Sequence, residues 1–172
     1  YSEDADMIKK SVAFILSKQQ SNGGFLSVDI TAATIQALTL VSDISGVDTA
    51  LANARAYLLS TQQSTGGFAN SFATSGVLQA ISALNENLSD WEKNELSPLD
   101  FLATKQETDG GVESMTDAVT NRVWATAYAI PAALGKEWGS ILESFDAPST
   151  SATYTEDSDT TPTPALVDGE VL

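Results

Sequence analysis

A twelve-residue pattern that occurs three times constrains this chain more than any other feature. The copies span residues 14–25, 57–68 and 101–112, so they lie 43 and then 44 residues apart. In each copy an aromatic residue stands five positions before a Gln, and a Gly-Gly pair begins four positions after that Gln. A fixed period of this length is typical of stacked helical units. The pattern therefore predicts an all-α array of three helical hairpins.

The Gln and Gly residues of the pattern have a structural interpretation. A Gln near a helix C-terminus can bond the backbone of the following turn, and Gly adopts the left-handed conformation that ends many helices. A Phe after the Gly pair can pack across the hairpin. An alternative is that a ligand contacts the exposed backbone of these turns. The residues interpreted as joints of the scaffold are Gln19, Gly23, Gly24, Phe25, Gln62, Gly66, Gly67, Phe68, Gln106, Gly110 and Gly111.

Apolar residues at helical spacing predict one helix before and one helix after each Gly-Gly pair. The first leading helix is expected to end near Gln20. The helices that follow the Gly-Gly pairs are expected over about 29–41, 73–84 and 117–134. The third of them follows a loop that is roughly five residues longer than its counterparts.

Several residues are expected to begin or end these helices. Ser27 or Asp29 and then Asp48 are candidate N-caps, and the string 89–92, Ser-Asp-Trp-Glu, is typical of a capping box. Pro98 suits the first position of a helix. Pro131 is expected to kink or end the last of the three following helices.

Composition excludes several classes of function. The formal charge is −15, from 23 acidic and 8 basic residues, and such a field repels nucleic acid and anionic lipid. No apolar run approaches the length of a membrane span, so direct membrane insertion by this segment is not expected. The chain has no Cys and no His, which excludes disulfides, thiolate nucleophiles and the commonest zinc ligand.

The composition changes near residue 146. From there Ser, Thr, Pro and acidic residues dominate, and helical spacing is lost. We expect a repeat domain over 1–145 and an acidic Ser/Thr/Pro-rich linker, without fixed structure, over 146–172. A linker of this kind and an acidic, Cys-free body favour an extracellular or cell-surface protein.

The complete pattern, aromatic-aliphatic-aliphatic-x-x-Gln-x-x-x-Gly-Gly-aromatic, resembles the repeat of the squalene cyclase and protein prenyltransferase (terpenoid cyclase) superfamily. The resemblance covers about residues 5–140. It implies an α/α toroid, in which the helices before each Gly-Gly pair are outer and those after it are inner. A closed ring in that family needs more hairpins than three. The expected fold is therefore an arc, or partial toroid.

The catalytic residues of that superfamily are not found in this chain. Its protonating cyclases use Asp-x-Asp-Asp, and the nearest strings here, at 4–6 and 157–159, lack the last Asp. Its prenyltransferases hold zinc through Asp, Cys and His, and related thioester domains need a Cys. We therefore assign no catalytic residue, and we predict no metal site and no cofactor. A carboxylate pair for glycoside chemistry, or Tyr and Arg in a lyase-like role, stays open, although no spacing singles out such residues.

The third loop and the helix after it contain the best candidate for a ligand site. Asp117, Asn121, Trp124 and Tyr128 are spaced 4, 3 and 4 apart, so they share one helical face if the helix begins that early. Together with Arg122 they could bind a sugar, a peptide or another small ligand. The alternative is that Trp124 and Tyr128 belong to the core, and that Asp117 and Arg122 are surface or paired charges.

Three functions remain open on this basis. The first is a non-catalytic binding or structural module of an exported or cell-surface protein, with a small molecule or glycan as ligand. The second is a terpenoid-cyclase-like or other α/α-toroid enzyme, with an enclosed cavity and a buried carboxylate. The third is a spacer or oligomerisation unit, for which self-association is expected.

Overall fold

The fold is all-α over the part of the chain that the computed structural model describes, residues 2–142, with side chains from 5 to 140. This confirms the predicted all-α class. The linker expected over 146–172 lies outside the described residues. The seven α-helices of this range are α1 (Ser2–Leu16), α2 (Val28–Thr39), α3 (Val47–Thr61), α4 (Ser71–Ala83), α5 (Pro98–Ala103), α6 (Val119–Ala133) and α7 (Trp138–Leu142), with a 3₁₀ helix at Leu88–Trp91.

Alternate helices lie next to one another in space. The helices that follow the three turns, α2, α4 and α6, pack side by side in chain order. The helices that precede the turns lie against this row, since α3 packs on α2 and α5 packs on α4. The first helix, α1, contacts α3. Each hairpin of the array thus contacts its neighbours, as expected for stacked repeats.

The three Gly-Gly turns share one backbone geometry. The first Gly of each pair has a φ of +88°, +80° or +85°, a left-handed conformation that costs Gly little. In the first copy Gln20 N–H donates to the Gly24 carbonyl, and Gly23 N–H donates to the Gln20 carbonyl. The same pair of bonds recurs in both later copies. The turn is therefore a unit of its own, and α1 ends at Leu16 rather than near Gln20 as predicted.

The second Gly of a pair lies against an aromatic ring of the next hairpin. A Cβ added to Gly24 would lie 2.8 Å from the Tyr57 ring, and one added to Gly67 would lie 2.1 Å from the Phe101 ring. These distances leave no room for any side chain. Tyr57 and Phe101 are themselves the aromatic residues that open the second and third copies of the pattern. The repeat therefore encodes the contact between one hairpin and the next.

In the first two copies, but not in the third, the Gln of the pattern ties its turn to the following hairpin. Gln19 Nε2 donates to the carbonyls of Gly23, at 2.9 Å, and Ala50, at 2.8 Å. Gln62 Nε2 donates to the carbonyls of Gly66, at 2.8 Å, and Trp91, at 2.6 Å. The first acceptor of each Gln belongs to its own turn and the second to the next unit. One amide thereby fixes both the turn and the junction.

Two predicted helix starts are wrong. Gly46, and not Asp48, is the N-cap of α3. Residues 88–91 form the 3₁₀ helix, and no side chain caps it. The capping box instead begins α5, where Ser97 and Asp100 bond each other's backbone N–H groups. The side-chain and backbone hydrogen bonds from Ser97 lower the pKa of the Asp100 carboxyl.

Other predicted boundaries are close to those observed. Ser27 is the N-cap of α2, although its side chain makes no capping bond and donates instead to Asp29, at 2.6 Å. Pro98 is the first residue of α5, as predicted. The last long helix continues past Pro131 to Ala133, so Pro131 does not end it.

The junction contacts predict that replacing the aromatic residue by Ala lowers the free energy of unfolding by different amounts in different copies. Tyr57→Ala should lower the free energy of unfolding by about 2–4 kcal/mol, because it empties the space above Gly24. Phe14→Ala changes the matching residue of the first copy, which is 64% exposed, and should cost less than about 0.5 kcal/mol. Urea unfolding followed by circular dichroism measures both. Equal costs for the two variants would contradict the assigned role of the ring.

The Gln bonds predict a second matched pair. Gln62 is buried, and Gln62→Ala should cost about 1–3 kcal/mol because two buried carbonyls lose their donor. Gln106 is exposed, and its Nε2 makes one described bond, to the Gly110 carbonyl at 3.2 Å. The free energy of unfolding of Gln106→Ala should therefore lie within about 0.5 kcal/mol of that of the parent. Differential scanning calorimetry provides the measurement, and a Gln106→Ala loss as large as that of Gln62→Ala would disprove the distinction.

Candidate functional site

One concave groove lies across the row of helices formed by α2, α4 and α6. Each of these helices contributes one face to it, and the first residue of α7, Trp138, closes one side. The groove has a volume of about 560 Å³, within the usual size of small-molecule sites. We call it the aromatic groove. Its residues come from all three hairpins, so it exists only once the array is assembled.

Four aromatic side chains form a continuous cluster in the aromatic groove. Phe72 from α4 lies 5.5 Å from Trp124 and 6.1 Å from Tyr128, measured between ring centroids. Trp124 and Tyr128 are 6.0 Å apart, and Tyr128 lies 5.7 Å from Trp138. All four pairs meet edge to face, the arrangement that the ring quadrupoles favour. Trp124 is 58% exposed and Trp138 is 46% exposed, so this cluster presents ring surface to solvent.

The floor of the aromatic groove is made by small residues. Ala33 on α2 and Gly76 on α4 both line it, and they stand 43 residues apart, at matching positions of the repeat. A Cβ added at Gly76 would have Ala32 Cβ as its nearest neighbour, at 3.6 Å, an ordinary contact. Gly76 is therefore not required by packing. Its effect is to leave open space between the helices.

The polar groups of the aromatic groove are amides and one carboxylate. Gln79 is buried, its Nε2 donates to the Tyr128 carbonyl at 3.3 Å, and its Oε1 has no partner among the described residues. Gln36 Oε1 accepts a bond from Trp138 N–H at 3.2 Å. Asp29 supplies the carboxylate, and Asn121 supplies an exposed amide. No Lys or Arg is among the described residues that line this groove.

The structure brings together three of the five residues predicted for a ligand site. Asn121, Trp124 and Tyr128 line the aromatic groove. Asp117 does not, because α6 begins at Val119 and Asp117 lies in the preceding loop. Arg122 does not line it either, because its side chain turns back towards the third Gly-Gly turn. The alternative that placed Trp124 in the core is wrong, since most of its side chain is exposed.

Several groove residues were not predicted, and three of them lie on α4. Phe72, Gly76 and Gln79 stand at i, i+4 and i+7 on α4, which puts them on one helical face. Phe72 also lies 43 residues after Asp29, so the repeat places both at the same position in their helices. Helical spacing and the repeat together could have found them. Trp138 could not be found in this way, because it reaches the aromatic groove only through the packing of α7.

Arg122 occupies a place that an aromatic ring occupies in the other copies. A Cβ added to Gly111 would lie 2.3 Å from its guanidinium. Asp109 binds both terminal nitrogens of this guanidinium, at 2.9 and 2.6 Å, and Nε donates to the Glu113 carbonyl at 3.2 Å. The hydrogen bonds from Arg122, and then that from Gly111 N–H, lower the pKa of Asp109 to about 2. The bond to Asp109 raises the pKa of Arg122.

An insertion brings Arg122 to this place. In the first two copies the backbone N–H after the Gly pair donates to a Thr hydroxyl six residues on, Phe25 to Thr31 and Phe68 to Thr74. In the third copy the equivalent bond runs from Val112 to Thr126, fourteen residues on. The third copy thus has eight additional residues between these two positions. About half of them lengthen the loop, which covers 112–118 against 25–27 and 68–70 in the earlier copies, close to the predicted difference of about five. The others add the first turn of α6, which carries Arg122.

Comparisons with known proteins add no assignment. No protein-family model, curated protein or solved structure matches this chain. The resemblance described above therefore depends on the repeat alone. Within the described part of the chain, no three Cys, His, Asp or Glu side chains are grouped as metal ligands. None of the helices between residues 2 and 142 is both long enough and apolar enough to cross a membrane.

The Asp109–Arg122 pair predicts a pH dependence with a defined sign. The pKa of Asp109 is lower in the folded protein than the value of about 3.9 expected for an unfolded chain. The pair therefore stabilises the fold above pH 4, and this stabilisation is lost as the pH falls towards 2. Carboxyl-carbon NMR should show Asp109 titrating near pH 2, and nearer to 4 in Arg122→Ala. Titration of Asp109 near pH 4 in the parent protein would contradict the ion pair.

Proposed function

We propose that this chain is a non-catalytic ligand-binding module of an exported or cell-surface protein, and that the aromatic groove is its binding site. The observation that carries the proposal is the exposed ring surface of Trp124 and Trp138 beside a buried amide oxygen, Gln79 Oε1, that has no described partner. Exposed aromatic surface in a concave site is typical of ligand sites. A buried acceptor without a donor costs free energy until a ligand or water supplies one.

The chemistry of the groove favours a neutral, hydroxyl-rich ligand such as a glycan. The aromatic rings offer flat apolar surfaces that suit the C–H faces of a sugar ring. Asn121 and Asp29, which are exposed in the groove, offer acceptors and a donor for hydroxyl groups. A phosphate or carboxylate ligand is disfavoured, because the described lining has a carboxylate and no cationic side chain.

The same groove gives less support to an enzyme of the cyclase type. Such a reaction needs a proton donor held in an enclosed apolar cavity, where burial keeps a carboxyl protonated. The aromatic groove is open to solvent, and its described carboxylate, Asp29, is exposed. Binding therefore accounts for more of its features than catalysis does.

The partial toroid belongs to this proposal. In this interpretation α2, α4 and α6 form the inner row of an arc, and α1, α3 and α5 form the outer row. The side-by-side packing of the three inner helices and the pairs α2–α3 and α4–α5 support it. The aromatic groove then lies on the inner surface of the arc, where the three hairpins converge.

The proposal predicts that two aromatic side chains carry most of the binding free energy. A panel of neutral mono- and oligosaccharides, including glucose, galactose, N-acetylglucosamine and cellohexaose, is titrated against the protein by calorimetry. For any sugar that binds, replacing Trp124 and Tyr128 together by Ala should weaken binding by about thirtyfold or more, since anchor residues of a site contribute about 2 kcal/mol or more. Gly76→Leu should also block binding, because its side chain fills the floor of the groove.

Val123→Ala is the matched control for these variants. Val123 is exposed on α6, next to Trp124 in sequence, but does not line the aromatic groove. The Val123→Ala variant should bind the sugar with the same affinity as the parent. Tryptophan fluorescence gives a second measurement, because Trp124 and Trp138 are exposed while Trp91 is fully buried. Sugar binding that survives both the double variant and Gly76→Leu would disprove the assignment of the site, and no binding to any sugar would disprove the ligand class.

A further inference from the structure

The first copy of the repeat leaves its junction residue uncovered. Tyr57 and Phe101 open the second and third copies, and each packs on the Gly pair of the hairpin before it. Phe14 is the matching residue of the first copy, and it is 64% exposed. The described residues place no Gly-Gly turn against it. An aromatic residue at the junction position is thus present without the contact that it makes elsewhere in the array.

The surface around Phe14 has the other features of a junction. Met7, Lys10 and Phe14 are spaced 3 and 4 apart, so they lie along one side of α1. Lys18 follows in the turn after α1, with its Nζ 5.0 Å from the centroid of the Phe14 ring. We call the surface formed by these four residues the α1 face. Met7 is 62% exposed, and a hollow of about 680 Å³ runs beside Met7, Lys10 and Phe14. Met7 also stands 43 residues before Ala50, whose carbonyl accepts the bond from Gln19. The α1 face therefore offers both the ring and the backbone carbonyl that an incoming turn uses.

At the other end of the described array, the third Gly-Gly turn lacks the hairpin contacts that the first two turns make. A Cβ added to Gly110 would meet nothing within 4 Å, whereas one added to Gly23 would lie 2.4 Å from the Asn53 carbonyl oxygen of the next hairpin. Gln106 bonds its own turn, but no described acceptor in a following hairpin. The third turn differs from an uncovered turn in one respect. Arg122, held by Asp109, lies over Gly111 in the place of the next ring.

We propose that the α1 face is a docking surface for a helical hairpin that ends in an uncovered Gln-x-x-x-Gly-Gly turn, and that Arg122 closes the third turn of this chain to the same interaction. The two internal junctions supply the geometry of the docked state. Phe14 covers the second Gly of the partner, and the Met7 carbonyl accepts a bond from the partner's Gln. This surface is separate from the aromatic groove and does not depend on the function proposed for it.

Electrostatics gives the interaction a preferred partner turn. The α1 face carries Lys10 and Lys18, two of the eight basic residues of the chain, against one carboxylate, Asp6, that lines the same hollow. The third turn carries Glu107 and Asp109, and Asp109 is neutralised by Arg122 in the folded chain. Removal of Arg122 therefore produces a turn that is sterically open and acidic. That turn is a suitable probe for the α1 face of another copy.

The experiment separates the two halves of the interaction. Arg122→Ser opens the third turn. The substitution is compatible with the fold, because a Ser already occupies the matching position of the first copy. The Ser27 carbonyl accepts a bond from the Thr31 hydroxyl, as the Arg122 carbonyl does from the Thr126 hydroxyl. The double variant Arg122→Ser/Phe14→Glu has an open turn and a damaged α1 face, so it should be monomeric. The parent has a closed turn and an intact α1 face, so it should also be monomeric. Mixed together at high micromolar concentration, they should form a 1:1 complex in sedimentation velocity.

Controls and further outcomes make the test decisive. Arg122→Ser alone has both an open turn and an intact α1 face, so its mass should rise with concentration through a head-to-tail contact. Adding Leu40→Glu, at an exposed site of the α2 C-cap, should leave this association unchanged. High salt should weaken it, because Lys10 and Lys18 face acidic residues. Circular dichroism measures whether each variant is folded. Arg122→Asn is the second variant that opens the turn, since Asn70 occupies the matching position of the second copy.

Two results would overturn the proposal. If neither opening variant forms a complex with the parent, the α1 face does not bind an uncovered turn. If the parent alone associates and loses this association in Phe14→Glu, a second parent copy binds the α1 face, and Arg122 does not close the third turn.

Discussion

The contact between a Gly-Gly turn and the aromatic ring of the next hairpin is the constraint on which this structure depends. Only a residue without a side chain lets the rings of Tyr57 and Phe101 approach the backbone at Gly24 and Gly67. The Gln of the same turn then bonds the next hairpin, so orientation and spacing are fixed together. With two junctions of the same kind, α2, α4 and α6 are placed side by side. The aromatic groove is a consequence of this placement.

The third copy shows how the same scaffold is changed at one end. Eight additional residues lengthen the third loop, extend α6 by a turn at its start and bring Arg122 over Gly111. A charged group thereby replaces an aromatic ring. Two bonds to Asp109 and one to the Glu113 carbonyl offset the free-energy cost of removing the guanidinium from water. A polar end is what a repeat array needs where stacking stops, since an apolar end invites further association. At the α1 end, Lys18 Nζ lies 5.0 Å from the centroid of the Phe14 ring, and this ring remains 64% exposed.

Much of the fold could be predicted because it is encoded locally and more than once. The helix type, the positions of the turns and the joints at Gln62 and Gly67 follow from a pattern that repeats. The errors fell where a choice depended on distant contacts. Asp48 and the string 89–92 are good local capping sequences, yet Gly46 begins α3 and Ser97 caps α5. Local propensity offered several starts for each helix, and packing selected among them.

The sequence by itself determined the all-α class, the three turns and the presence of aromatic residues on α6, because periodicity and Gly chemistry act over short distances. Only the tertiary structure decided which side chains share a site. It separated Asp117 and Arg122 from Trp124 and Tyr128, because α6 begins at Val119 and Arg122 is held by Asp109. It added Phe72, Gln79 and Trp138 to them, because three hairpins converge at one groove. Side chains far apart in the chain meet there through packing, which no local pattern specifies.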